Sequence, residues 1–154
     1  MEHYYTNNPT TESREKIINS TIANENLKFY TDNGVFSKES VDFGTKTMLE
    51  SFTTNKENAK VADIGCGYGV ISIFLAKKYP TYKFTMVDVN NRVLELSKKN
   101  IELNKIENEV EVLESSSFDN VEGNFDIVLT NPPIRAGKKI VHKIMTDSYE
   151  HLNA

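Results

Sequence analysis

Three short segments of the sequence contain residue types that could bind a ligand or carry out chemistry. They are DIGCGYG (63–69), VDV (87–89) and NPPIRAG (131–137). In DIGCGYG, three glycines allow a tight turn and a close approach of the backbone to a ligand. Their G-x-G-x-G spacing differs from the G-x-G-x-x-G of dinucleotide binders, and the acid before the first glycine would repel a pyrophosphate. The segment therefore favours a ligand that carries positive charge.

The second segment adds an acidic residue at the end of the next predicted strand. Asp88 lies 19 residues after Gly69, where a carboxylate can accept hydrogen bonds from both hydroxyls of a ribose. Each feature also has a simpler interpretation, because glycine-rich turns are often structural and aspartate is a common turn former. Cys66 is then only a small residue in a crowded turn. In this order and spacing, the segments together indicate a ligand with a ribose, a cationic group and no pyrophosphate, which describes S-adenosylmethionine.

The third segment begins where the predicted strand FDIVLT (125–130) stops. Pro132 and Pro133 lack the N–H that a β-ladder needs, so they end the strand and stiffen the chain after Asn131. The Asn131 side-chain oxygen and the Pro132 carbonyl could accept hydrogen bonds from both N–H groups of an exocyclic amine. This would aim the lone pair of the amine at a sulfonium methyl. Catalysis would then consist mostly of positioning and local electrostatics, with Ile134 offering an apolar surface to a planar substrate. The alternative is that Asn-Pro-Pro is only a strand-ending turn.

The elements that must position these segments alternate between strands and helices. This alternation predicts an α/β fold with right-handed crossovers and a parallel sheet, preceded by a hairpin around Asn24 and Asn26. Ligands of such sheets bind at the carboxyl ends of the strands, where all three segments lie. We predict strands at 15–22, 27–32, 60–65, 83–89, 108–115 and 125–130, and helices at 45–52, 68–80, 91–105 and 138–152.

Length and composition indicate one soluble globular domain. The chain has 154 residues, and no run approaches the roughly 20 apolar residues of a membrane span. The start, MEHYYTNNPTTESREK, lacks an apolar signal core, and a single cysteine fits a reducing compartment, so we expect a cytoplasmic location without a membrane partner. The three histidines lie far apart, so no metal site is expected. A net charge of −4 argues against a generic nucleic-acid coat but is compatible with a local basic face.

With these motifs, the sequence resembles the class I S-adenosylmethionine-dependent methyltransferases. More narrowly, it resembles small bacterial proteins of the ribosomal small-subunit RNA guanine-N2 methyltransferase family. The resemblance spans nearly the whole chain and rests on HYYTNNP (3–9), GVFSKESVDFGTKTMLE (34–50), DIGCGYG and NPPIRAGK (131–138). It implies a Rossmann-like, mostly parallel sheet and methyl transfer from S-adenosylmethionine to guanine N2, with ribosomal RNA or the small ribosomal subunit as partner.

The resemblance also implies roles for individual residues. Asp63 and the glycine loop would hold the methionyl part of the cofactor, Asp88 the ribose and Val89 the adenine. Segments around Phe36 and Thr45 close over the cofactor in that family. The implied cofactor site comprises Phe36, Thr45, Asp63, Gly65, Cys66, Gly67, Asp88, Val89, Ser116 and Asn131, and the implied catalytic site comprises Asn131, Pro132, Pro133 and Ile134.

Two features depart from the family. The family offers Ser-Asp to the adenine amino group, whereas ESSSFD (114–119) has Ser116 where an acid is expected, so a charge-assisted hydrogen bond is lost. The family's sheet has seven strands, and only five core strands are counted here, so the last two are expected to be missing. We therefore expect one methyltransferase domain, with an N-terminal extension and cofactor lid at 1–52 and an incomplete core at 58–154. Such a chain would be a shortened form, an incomplete gene product or a domain completed by a partner.

The acceptor is less constrained by the sequence than the cofactor. A basic group after the Asn-Pro-Pro turn either contacts RNA phosphates or forms a solvated helix face, and consists of Arg135, Lys138, Lys139 and Lys143. Glutamine-N5 protein methyltransferases also use Asn-Pro-Pro, but they typically have tyrosine where this chain has Ile134. An inert S-adenosylmethionine-binding module is a further alternative. The uncovered flank of the last predicted strand, apolar on both faces, predicts self-association through that edge.

Overall fold

The structure, a computed structural model, describes residues 15–32, 41, 43–130 and 137–153. Two strands and a helix come first, and strands and helices then alternate, except that the last two described strands follow one another without a helix between them. In chain order the elements are β1 (Glu15–Ile22), β2 (Glu25–Asp32), α1 (Phe43–Ser51), β3 (Lys60–Ile64), α2 (Val70–Lys78), β4 (Lys83–Asp88), α3 (Asn91–Leu103), β5 (Val110–Glu114), β6 (Ile127–Thr130) and α4 (Lys138–His151). None of the described helices is long and apolar enough to cross a membrane.

Strands β1 and β2 form the predicted N-terminal hairpin. Its two-residue turn consists of Ala23 and Asn24, whose φ angles of 45° and 70° are both left-handed. A turn of this kind matches the right-handed twist of the flanking strands, so pairing starts directly with Ile22 opposite Glu25. Strand β2 therefore begins at Glu25, ahead of the predicted start at Leu27.

The second sheet is parallel, and within the described ranges it has four strands in the order β5-β4-β3-β6. This corrects the sequence-based count of five core strands. Its order reverses between β3 and β6, because the chain first builds outward through β4 and β5 and then returns to the other side of β3. A single parallel bridge joins Phe125 to Leu152. All four residues of β6 are only half-buried, so the flank of β6 away from β3 is less covered than the centre of the sheet.

Side chains of the central strand β3 alternate between two cores. Val61 belongs to a large cluster that contains the hairpin residue Phe29 and much of α2. Ile64 belongs to a second cluster, which includes Ile144 of α4. Asp63 lies on the same face as Val61 by this alternation, so its carboxylate is directed toward the side of the sheet that α2 covers.

Both helices that follow the central strands begin at the carboxyl edge of the sheet. Helix α2 starts after Gly69, whose φ is 104°, and ends at Lys78. The C-cap residue Tyr79 has a ψ of 81°, outside the helical region that is disfavoured for a residue before proline. Helix α3 is capped by Asn90, whose side-chain oxygen accepts hydrogen bonds from the second and third backbone N–H groups of the helix at 3.0 and 3.2 Å. With its observed bounds of Val70–Lys78, helix α2 is shorter at both ends than the predicted 68–80.

Candidate functional site

The loop of residues 65–69 joins β3 to α2 at the carboxyl edge of the sheet. The backbone N–H groups of Gly65 and Cys66 both donate to the carbonyl of Val87, each at 2.9 Å, which ties the loop to β4. Gly67 has a φ of 57° and a Cβ at this position would meet no atom within 4 Å. The loop therefore combines a fixed backbone with open space directly above one glycine, which suits the close approach of a ligand.

Asp63 is fully buried at the base of this loop. Its Oδ2 accepts a hydrogen bond from Ser72 Oγ at 2.6 Å, whereas its Oδ1 has no hydrogen-bond partner among the described residues. Burial, reinforced by the nearby charge of Asp88 and opposed by the Ser72 hydrogen bond, raises the pKa of Asp63 to about 6. A buried carboxylate oxygen without a donor is costly, so the site fits a ligand group that donates hydrogen bonds or carries positive charge.

Asp88 ends β4 beside the glycine loop. Its Oδ2 accepts from the N–H of Gly67 at 3.0 Å and its Oδ1 from the N–H of Asn90 at 3.1 Å. Partial burial raises the pKa of this carboxyl, while the backbone hydrogen bonds oppose that shift. Asp88 therefore holds two backbone N–H groups, and each of its carboxylate oxygens keeps further acceptor capacity for a ligand. Val89, directly after it, is half-buried.

Cys66 is buried within the loop and has no geometry that suggests reactivity. Its sulfur lies 3.8 Å from Ser97 Oγ, and burial raises the pKa of the thiol well above its ordinary value, with the charges of Asp63 and Asp88 adding to the effect. A thiol with a raised pKa stays protonated and is a poor nucleophile or metal ligand. No group of three or more His, Cys, Asp or Glu side chains within the described ranges could hold a metal ion.

The loop after β5 comes close to the same edge of the sheet. The N–H of Ser115 donates to the carbonyl of Asp88 at 3.1 Å, and the neighbouring Ser116 is half-buried. Thr45 is half-buried on α1. Phe36 lies outside the described residues, so the structure neither supports nor opposes its predicted role.

The predicted catalytic residues Asn131, Pro132, Pro133 and Ile134, together with Arg135, also lie outside the described residues. Thr130, the last described residue before them, pairs with Ile64 across the parallel sheet. Its Oγ1 is buried and has no hydrogen-bond partner in the part of the chain that the structure describes. Strand β6 therefore ends beside the start of the glycine loop, at the point where the strand order reverses, and this is where ligands of such sheets bind.

The lysines of α4 differ in their surroundings. Lys138 and Lys139 are exposed in the first turn of the helix. Lys143 Nζ lies 2.6 Å from Asp119 Oδ1 and 2.8 Å from Asp147 Oδ2, and these two carboxylates raise the pKa of the lysine. The predicted phosphate contacts stay predictions, but the charge of Lys143 is already paired within the protein.

Three buried polar residues, Ser97 and Asn100 of α3 and its C-cap residue Asn104, were not anticipated from the sequence. Ser97 Oγ donates to the carbonyl of Gly67 at 2.6 Å. Asn100 Nδ2 donates to the carbonyl of Tyr68 at 2.8 Å, and Asn104 contacts the backbone of β2. A signal was present, because these positions follow Val93 at helical spacing and so place polar side chains on the face that should be apolar.

The fold and this edge define a class of protein. A parallel α/β sheet with a glycine loop after one strand and an acidic residue at the end of the next is the Rossmann-like fold of class I methyltransferases. The chain matches the sequence model of the family described as Methyltransferase small domain over residues 26–154. The protein belongs to the methyltransferase small-domain family.

Two relatives show how much of the chain is similar to known proteins. The chain is 43% identical over 155 residues to the uncharacterized protein YbxB of Bacillus subtilis, covering 99% of this chain and 77% of that protein. It is 37% identical over 133 residues to the ribosomal RNA small subunit methyltransferase C of Haemophilus influenzae, covering 84% of this chain and 39% of that protein. The chain thus spans about two fifths of the length of this ribosomal RNA methyltransferase.

Solved structures share the fold at lower sequence identity. The 16S rRNA N2 methyltransferase of T. thermophilus, solved in complex with AdoMet and guanosine, superposes with a TM-score of 0.79 and 22% identity, covering 92% of this chain and 40% of that chain. A ribosomal protein L11 methylase from Lactobacillus delbrueckii subsp. bulgaricus gives a TM-score of 0.59 and 24% identity, covering 71% of this chain and 53% of that one. One fold therefore serves proteins whose names state RNA and protein acceptors.

Proposed function

We propose that this protein transfers a methyl group from S-adenosylmethionine to guanine N2 of small-subunit ribosomal RNA. The observation that carries the proposal is the Oδ1 of buried Asp63, which has no hydrogen-bond partner among the described residues, below a loop with open space at Gly67. A cationic cofactor group would supply the donor that Asp63 lacks. Ribosomal RNA as the methyl acceptor is supported by the relative from Haemophilus influenzae, which is named a ribosomal RNA small subunit methyltransferase.

In this proposal, the described residues divide the cofactor among them. Asp63 and the loop containing Gly65, Cys66 and Gly67 receive the methionyl part. Asp88 accepts hydrogen bonds from the two ribose hydroxyls. Its carboxylate oxygens can do so because each accepts only one hydrogen bond from the described backbone. Val89 packs against the adenine. The hydroxyl of Ser116 would accept a hydrogen bond from the adenine amino group, which is weaker than the same bond to a carboxylate.

The acceptor amine would be oriented by the segment that follows β6. In this assignment its two N–H groups donate hydrogen bonds to the Asn131 side-chain oxygen and the Pro132 carbonyl. Pro133 would restrict the backbone, and Ile134 would pack against the guanine ring. The location of Thr130 beside Ile64 supports this assignment, because it brings the chain to the same edge as the glycine loop. A guanine inside a duplex would have to be flipped out, or be presented unpaired.

The raised pKa of Asp63 predicts that cofactor affinity depends on pH. The pKa of Asp63 is about 6 in the folded protein and 3.8 in the unfolded chain. Asp63 therefore contributes stability that is fully present below pH 3.8 and is lost as the pH rises through about 6. A cationic cofactor prefers the ionised carboxylate, so its dissociation constant should fall as pH rises from 5 to 7 and then level off. Calorimetry across this range measures the effect.

The control for this pH effect is Asp63→Asn, which cannot ionise and should remove the pH dependence. It retains an oxygen that can accept the Ser72 hydrogen bond. Wild-type affinity that stays constant between pH 5 and 8 would contradict the proposed contact between Asp63 and a cationic group.

The RNA-contacting face is proposed to lie on α4 and the segment before it. Lys138 and Lys139 are exposed and available for phosphates, and Arg135 precedes them in the chain. Lys143 would have to exchange its contacts with Asp119 and Asp147 for phosphate contacts, so it should contribute less.

This difference predicts separable effects on RNA binding. Replacing Lys138 and Lys139 with alanine should weaken binding of a small-subunit RNA fragment and reduce the salt dependence by about one unit of slope per lysine. The matched control Lys143→Ala should leave that slope nearly unchanged while lowering the melting temperature, because it leaves Asp119 and Asp147 without their cation. Equal slopes for all three proteins would mean that this face does not contact RNA.

Transfer of labelled methyl groups tests the proposed function and its alternatives. Small ribosomal subunits, free ribosomal RNA and ribosomal proteins are offered together with labelled S-adenosylmethionine, and the products are separated. We expect label in RNA, recovered as N2-methylguanosine by nucleoside mass spectrometry. Label in protein would indicate the glutamine-N5 type, and cofactor binding without any transfer would indicate an inert binding module.

Three further features of the proposal follow from the organisation of the chain. Residues 1–52, including Phe36 and Thr45, would form an extension and cofactor lid on the core at 58–154. The half-buried residues of β6 leave a flank that could pair with a second copy of the chain, so size-exclusion chromatography should detect self-association. A ribosomal RNA substrate implies a cytoplasmic location.

A further inference from the structure

The back of the glycine loop is held by side chains of α3. Asn100 is fully buried, and its amide group makes three hydrogen bonds. Its Nδ2 donates to the carbonyl of Tyr68 at 2.8 Å and to the carbonyl of Tyr30 at 3.1 Å. Its Oδ1 accepts from the N–H of Tyr30 at 2.6 Å. One side chain thus joins the loop to the N-terminal hairpin, and its two amide hydrogens are both used.

Ser97, one turn earlier on α3, holds the neighbouring carbonyl of the same loop. Its Oγ donates to the carbonyl of Gly67 at 2.6 Å. Because a trans peptide is planar, fixing the Gly67 and Tyr68 carbonyls also fixes the N–H groups of the residues that follow them. A Cβ at Gly67 would meet no atom within 4 Å, so there is open space beside this part of the loop. The two α3 residues therefore determine how the loop backbone is presented to a ligand.

Asn104 provides a natural comparison. It lies on the same face of α3, is also buried and binds the same strand, since its Oδ1 accepts from the N–H of Lys28 at 3.2 Å and its Nδ2 donates to the Lys28 carbonyl at 2.8 Å. Its other hydrogen bond goes to the carbonyl of Asn100 within the helix, at 2.8 Å. Asn100 and Asn104 thus hold the hairpin in the same way, and contact with the glycine loop distinguishes them.

We propose that Asn100 and Ser97 are positioning residues for S-adenosylmethionine, acting through the glycine loop, and that the hairpin is thereby coupled to the cofactor site. This inference rests on the proposed contact between that loop and the cofactor. If Asn100 only anchored the hairpin, replacing Asn100 or Asn104 would change cofactor affinity equally. If Asn100 also positions the glycine loop, its replacement should weaken cofactor binding more than that of Asn104.

The test compares Asn100→Ala, Ser97→Ala and Asn104→Ala in the full chain. Calorimetry with S-adenosylmethionine, at a temperature where all variants are folded, should show a dissociation constant about tenfold higher for Asn100→Ala and Ser97→Ala. Asn104→Ala should stay within about twofold of wild type, although both asparagine variants should melt several degrees lower, roughly 5 °C. Ser97→Ala keeps the test decisive if Asn100→Ala does not fold, because its hydrogen bond goes to the loop.

Hydrogen exchange without cofactor gives a second readout. Amides of residues 65–69 should exchange faster in Asn100→Ala and Ser97→Ala than in Asn104→Ala, because their carbonyl anchors are lost. Equal cofactor affinities for Asn100→Ala and Asn104→Ala, with unchanged exchange in the loop, would overturn the positioning role. If wild type failed to bind S-adenosylmethionine, the assignment of the loop to the cofactor would fail, and the exchange comparison would still decide whether α3 fixes the loop.

Discussion

Replacing Asn131 with alanine is expected to lower methyl transfer about 100-fold while leaving S-adenosylmethionine affinity within about twofold of wild type. The proposed interaction holds the amine lone pair toward the methyl group, and it develops mainly at the transition state. Its removal should therefore lower kcat and kcat/KM together. Single-turnover transfer of labelled methyl into RNA and calorimetry of cofactor binding measure the two quantities on one preparation.

Thr130→Val is the matched control for this experiment. Thr130 immediately precedes Asn131, and its Oγ1 has no hydrogen-bond partner within the described residues, so exchanging the hydroxyl for a methyl disturbs the end of β6 without removing a contact seen there. We expect transfer close to that of wild type. If Asn131→Ala lost cofactor affinity and transfer in parallel, the segment would be a strand-ending turn and the orienting role would be wrong.

Replacing Asp88 with alanine is expected to weaken S-adenosylmethionine binding between tenfold and about 100-fold. The variant would remove a charge-assisted acceptor for the ribose, which is worth about 1.5–3 kcal/mol. It would also free the N–H of Gly67, which Asp88 Oδ2 holds at 3.0 Å, so the loop would lose one of its anchors. Calorimetry measures the change in the dissociation constant.

Asp126→Ala separates ribose binding from the general effect of losing a carboxylate. Asp126 also holds a backbone group, since its Oδ2 accepts from the N–H of Lys60 at 2.9 Å. It lies beside the first residue of β3, at the opposite end of the sheet from the glycine loop. We expect Asp126→Ala to change stability and not cofactor affinity. An unchanged dissociation constant for Asp88→Ala would refute the ribose assignment.

The sequence predicted those parts of the molecule that local rules determine. The glycine spacing and the acid at Asp63 predicted a loop at the end of β3, and the structure has that loop. Alternating strands and helices predicted the parallel sheet, and Asn24 and Asn26 predicted a hairpin. The end of α2 follows from Pro80, because the residue before a proline disfavours helical geometry. Each of these features depends on residues that are neighbours in the chain.

Features that depend on distant residues could not be predicted in this way. The pairing of Lys143 with Asp119 joins α4 to the loop after β5, and only the packed sheet brings them together. The buried polar face of α3 contradicts a simple apolar pattern, because its partners are backbone carbonyls of other elements. The half-buried state of β6 likewise reflects its location at the edge of the described parallel sheet, which depends on the strand order.

The hydrogen bonds from Asn100 and Asn104 to β2 also constrain the order of folding. They join residues that lie 70 and 76 positions apart in the chain. A two-stranded hairpin is marginally stable by itself in water, so β1 and β2 gain most of their stability after α3 has formed. During synthesis the hairpin emerges before α3, so its hydrogen bonds to Asn100 and Asn104 can form only after both residues have left the ribosome. Because contacts of long sequence separation form slowly, the glycine loop would reach its final geometry late in folding.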